Sequence, residues 1–295
     1  MSFDGLDILL ATARFLHYAA AIQLFGATVF SAILLPQGLR ASLSRPILNL
    51  ERISAIVLLL SGIAWLMASA ASMGDGLQDA VNPSVIGTVL ADTEFGHVWG
   101  PRLVICTLAI VAATFPGDRA RWISVLFATL ALGSLGLVGH ATIDSGPLGL
   151  INETSQALHV LSSGFWLGAL LPLLFLLALI RDPARASLAD GALRRFSGLG
   201  HIAVAILLLS GVANTWFVIA DKPNLGAPYQ QLLLVKIGLA GLMCVMAIVN
   251  RYLFLPAIPR ESGTRQLVRG TIIEVVLGAL ILALVALIGI MAPSG

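Results

Sequence analysis

Apolar residues occupy most of the chain in long blocks, broken by short stretches that carry the charges, glycines and prolines. Each block is about the length, roughly 20 residues, that a helix needs to cross a hydrocarbon core of about 30 Å. Eight such helices are predicted, near 7–35, 53–72, 97–115, 123–140, 155–180, 199–220, 230–250 and 271–291. The fold expected is therefore all-α, a polytopic membrane bundle with almost nothing left over for a soluble domain.

Composition and charge sharpen this picture. Only 11% of the 295 residues are charged, 58% are hydrophobic, and the mean hydropathy is +0.96. Soluble domains normally carry about twice that charge fraction. The acidic start, Met1 to Asp7, lacks the basic region and small-residue cleavage site of a secretory signal. The loops after the first, third, fifth and seventh helices hold 13 of the 17 basic residues, among them Arg40, Arg119, Arg185 and Arg265. These loops are predicted to be cytoplasmic. Both termini then face outward, which in a Gram-negative cell is the periplasm. Cys106 and Cys244 lie inside apolar blocks, form no C-x-x-C pair and read as buried, inert thiols.

The two halves echo each other. Leu16-His17 is followed nine residues after the histidine by Gly26-Ala27, and Leu158-His159 by Gly168-Ala169 at the same interval. The run 58–64, with Ser61-Gly62, matches 207–213, with Ser210-Gly211, at six of seven positions. Phe95 precedes Arg102 by seven residues, as Tyr229 precedes Lys236. Residues 1–145 and 146–295 are accordingly expected to be two parallel four-helix repeats related by an axis along the membrane normal. The Ser-Gly pairs are expected at close helix crossings. Trp65, Trp99, Trp166 and Trp216 are assigned to the outer half, where interfacial anchoring accounts for most of them.

The chemistry rests on histidines. His17, His97, His140 and His159 are expected in the outer leaflet, about a turn inside the boundary for His17 and His159, with residues 4–13 protruding or lying along the interface. His201 is placed on the cytoplasmic side. Imidazole at membrane depth is costly and points to a function. Three readings stay open: interfacial rings with ordinary hydrogen bonds, a transition-metal site, or haem b held between two histidines. For a metal, Met67, Met73, Asp144 and Glu153 are auxiliary candidates, while Arg102, Lys236, Trp166 and Asn214 are candidate supporting residues. Deeper in, Cys244, Met243, Met246 and Glu274 are the available stepping stones. No P-loop, phosphorylation motif, nucleophile elbow or His-Glu-x-x-His is present. The chain is therefore read as no enzyme, with metal reduction at the outer face left open, and no nucleic-acid partner is expected.

The ordered motifs resemble the CopD-type copper resistance inner-membrane proteins. The resemblance is carried by Gly139-His140-Ala141, Leu158-His159, Gly164 to Gly168, Arg195-Phe196-Ser197, Leu209 to Asn214, Tyr229 with Leu232 to Lys236, and Asn250-Arg251 with Pro256. It implies an inner-membrane protein in copper homeostasis, working beside a periplasmic carrier of the CopC type and passing copper toward the cytoplasm. It also implies that His140 and His159 are family histidines. His17 and His97 rest on depth and on the internal duplication.

Overall fold

A computed structural model describes residues 3–115, 117–137, 147–219, 224, 226–258 and 261–291. Its helices are α1 Gly5–Val29, α2 Gln37–Met73, α3 Pro83–Asp92, α4 Glu94–Thr114, α5 Asp118–Gly133, α6 Pro147–Gly168, α7 Leu170–Ala178, α8 Ala186–Ile219, α9 Pro228–Val249 and α10 Glu261–Ile288. Among the described residues, eight spans are long and apolar enough to cross a membrane. α6 and α7 form one of them, interrupted at Ala169, and α3 is a short helix between the second and third spans.

Several helices run further than the apolar blocks suggest. α2 begins at Gln37 instead of near Ile53, and α8 at Ala186 instead of near Leu199. Outside the hydrocarbon, arginine, leucine and alanine are strong helix formers, so the charged flanks simply continue the helix. At 37 residues α2 is about 55 Å long, well beyond the core thickness. α1 likewise begins at Gly5, so residues 5–13 are helical and continuous with the first span. Asp4 fixes that start: its carboxylate accepts from the backbone N–H of Leu6 and Asp7, and Asp7 returns a bond to the Asp4 N–H.

Eight crossings put both termini at one end of the bundle; there the Arg14 guanidinium lies against Gly289 at the end of α10. The opposite end collects the arginine-rich loops and the ion pairs Arg40–Asp118, Arg121–Asp118, Arg185–Asp182 and Arg194–Asp190. These are exposed pairs and contribute little stability individually.

The centre of the bundle is the crossing of α1 and α6. A Cβ at Gly26 would collide with the backbone of Gly168, and a Cβ at Gly168 with the carbonyl of Ile22. Only glycine lets these backbones touch. Gln23 Nε2 donates to Gly168 O at 2.8 Å and seals the contact where the span is interrupted. Around this crossing, α2, α5 and α10 pack on α1, α8 packs on α6, and α4 packs on α2 and α5. The halves differ in one respect: α2 packs along α4, whereas α8 and α9 make no comparable contact.

Candidate functional site

His17 and His159 occupy matching places, each twelve residues after its helix begins, at Gly5 and Pro147. That is about 18 Å along the helix in both halves. The first partner of each ring is also the same. His17 Nδ1 lies 3.1 Å from Ser61 Oγ, and Ser61 donates its own hydroxyl to Leu58 O. His159 Nδ1 lies 3.2 Å from Ser210 Oγ and 3.2 Å from Leu207 O, while Ser210 donates to Ile206 O at 2.7 Å. A serine whose hydrogen is committed to a carbonyl can only accept. Both rings therefore carry the proton on Nδ1 and present a lone pair at Nε2. The adjoining glycine leaves room for each ring: a Cβ at Gly62 would lie 3.1 Å from His17 Cε1, and one at Gly211 would lie 3.3 Å from His159 Cε1. The Ser-Gly pairs thus cradle the imidazoles.

At Nε2 the twins part. Arg102 Nε donates to His17 Nε2 at 2.9 Å, and the same guanidinium donates to Ala131 O and Ser134 Oγ from Nη1. Arg102 and His17 are both fully buried. Trp99 and Trp65 close over the ring with centroids 5.2 and 5.7 Å away, and Trp99 donates its indole N–H to Gly62 O. Both tryptophans are buried, which corrects their assignment as interfacial anchors; Trp216, by contrast, is 70% exposed. Arg102 pairs with no carboxylate among the described residues. The nearest good acceptor, the His17 lone pair, takes its Nε instead.

In the second half Lys236 stands where Arg102 stands in the first, half-buried on α9. Its charge lies close enough to act on the His159 ring, but it has no hydrogen-bond or ion-pair partner among the described residues. His159 Nε2 likewise has none. One turn closer to the terminal end, Ser155 Oγ donates to Asn214 Oδ1 at 2.6 Å and Asn214 Nδ2 donates to Gln156 Oε1 at 3.0 Å. This polar ladder between α6 and α8 replaces the aromatic cluster of the first half. The arrangement leaves one imidazole saturated and the other with a donor atom free. An Nδ1–H held by a carbonyl is also how proteins orient a metal-binding histidine.

Among the described residues, the other expected ligands do not converge on this place. His97 is exposed on α4, its Nε2 2.8 Å from Ala91 O. Met67 is half-buried and Met73 exposed on α2, and Glu153 is half-buried on α6. His140 and Asp144 lie outside the described residues. Among the described residues no three His, Cys, Asp or Glu side chains come together as a metal cage. Trp166 is buried two turns below His159, near the middle of its span, and lines a cavity that reaches His201 and Arg251. His201 lies on that side as predicted, bonded to Ser197 O and Tyr252 Oη.

A model described as "Copper resistance protein D-like, N-terminal domain" matches residues 5–150, and one described as "Copper resistance protein D" matches residues 190–288. The chain is 32% identical over 282 residues to inner membrane protein YebZ of Escherichia coli (strain K12), covering 95% of this chain and 97% of that protein. The chain belongs to the copper resistance protein D family. It is also 28% identical over 307 residues to copper resistance protein D of Pseudomonas syringae pv. tomato, with 98% of each chain covered. Similarity to copper transport protein CutJ of Bacillus subtilis (strain 168) is 28% over 244 residues, 78% of this chain and 44% of that one. No solved structure matches the chain.

The sequence shows the paired histidines and the repeated Ser-Gly pairs, but not that the two meet, nor the bond from Arg102 to His17. The readable signal was Arg102 against Lys236 at equivalent positions, since a guanidinium offers a planar fork of donors and an ammonium does not.

Proposed function

We propose that the protein is a multi-pass inner-membrane copper-homeostasis protein that binds copper in its second half, with His159 Nε2 as the anchoring ligand, and passes it inward. The halves act as two four-helix repeats with both termini on the periplasmic side, and a CopC-type carrier is the expected source of the ion. His140, carried over with His159 by the family resemblance, is the expected second ligand, and His97 an entry ligand near the surface. Family membership and the names of the relatives support the copper reading. The observation that carries the site is the contrast between His159 Nε2, free and pre-oriented, and His17 Nε2, capped by Arg102. Imidazole is a good ligand for copper. The protein's part is binding and passage, without a covalent step of its own.

Metal content by mass spectrometry together with an absorption spectrum on the same purified sample tests this. About one copper per chain and no Soret band is the expected result. A Soret band at about one haem per chain, without copper, would establish the alternative of a haem-b electron-transfer protein built on these histidines.

A further inference from the structure

Where α8 and α9 diverge, the second half holds a cavity of about 370 Å³, within the size range of sites for small organic ligands. Its mouth is formed by Leu208, Ile248 and Tyr252, which are 49%, 57% and 60% exposed on the lipid-facing flank of the bundle. Its walls are almost wholly apolar. Its blind end is different. There Trp166, Asn250, Thr271 and Glu274 are all buried, and Glu274 is 4% exposed. Asn250 Nδ2 donates to Glu274 Oε2 at 3.0 Å; the Trp166 indole N–H faces the same carboxylate without closing a well-formed hydrogen bond, and Glu274 Oε1 and Asn250 Oδ1 stay unpartnered. Asn250 opens a π-helical turn, Asn250–Phe254, a local departure that often marks functional sites.

A buried acceptor left unpaired costs about 1–3 kcal/mol, and more if charged, so two together call for a donor from elsewhere. A hard cation takes six or more oxygen ligands, and this end of the cavity offers three oxygen-bearing side chains. It also leaves the long apolar walls unexplained. A donor head on an apolar body satisfies both features.

We propose that this cavity binds a neutral membrane-dissolved molecule with an apolar body and a hydroxyl-bearing head. The molecule enters sideways between α8 and α9 and hydrogen-bonds Glu274 Oε1 with its head. The site is separate from His159 and does not depend on copper binding there.

The test uses the full chain in detergent with two photoreactive probes of equal chain length. One is a diazirine-bearing monoacylglycerol and the other the corresponding fatty-acid methyl ester, which has no donor. Cross-linked peptides are mapped by mass spectrometry. The glycerol probe is expected to label Cys244, Ala247 and Leu267 about tenfold more than the ester, the equivalent of one charge-assisted hydrogen bond. Glu274→Leu should bring the two probes level, and Ala247→Trp, which fills the cavity, should abolish labelling by both. Equal labelling by the two probes in the native protein overturns the proposal. So does labelling confined to other lipid-facing helices, protection by magnesium or copper alone, or cross-links between two copies across the α8–α9 gap.

Discussion

Gly26→Val is expected to prevent α1 and α6 from docking and to leave little folded protein. The reason is geometric. The atoms that a side chain at Gly26 would meet are the backbone of Gly168 and Ala169, not the end of a flexible side chain. Overpacking a well-filled core costs about 1–3 kcal/mol when side chains can yield, and here the helices themselves must separate. Separation also breaks the bond from Gln23 to Gly168 O and opens both clusters around the crossing. Thermal unfolding of detergent-purified protein, read against Gly238→Val, a position with open space around it, isolates the effect. A native melting temperature for the Gly26 variant would show that the crossing is looser than described.

His17→Leu is expected to destabilise the protein by about 3 kcal/mol while leaving copper stoichiometry unchanged. The substitution leaves Arg102, buried with its charge, short of the acceptor for Nε, and its Nη2 already has no partner. Ser61 also loses its ring partner. His17→Gln, which can still offer an acceptor oxygen, should recover part of the loss. Chemical or thermal denaturation checks the first expectation, and metal content of the same preparations checks the second. A stable His17→Leu protein that has lost its copper would mean that Arg102 yields the imidazole to the ion.

Eight spans, the matching histidine-glycine intervals and the Ser-Gly crossings were legible because each depends on apolar length or on small residues at fixed spacing. Gly26 and Gly168 meet each other, and Gly62 and Gly211 each face an imidazole, so the repeated glycines marked close approaches although their partners were not foreseen. What spacing cannot give is direction around the helix axis when nearly every face is apolar. The four histidines were expected to share one site. Instead His17 turns into the first half toward α2 and α4, His159 turns toward α8, and His97 stays on the surface. Trp65 and Trp99 were read as anchors for the same reason: an aromatic residue near a helix end looks alike whether it faces lipid or a buried cluster. The cavity beside Glu274 arises from the divergence of α8 and α9, a packing difference between two halves with similar sequences, and no residue pattern announced it.

The most direct measurement is copper bound per chain in purified His159→Ala and His17→Ala proteins, prepared side by side with the unaltered protein. The account predicts that His159→Ala loses the ion and remains folded, and that His17→Ala keeps the ion while melting earlier. Retention of copper by His159→Ala at the level of the unaltered protein would contradict it.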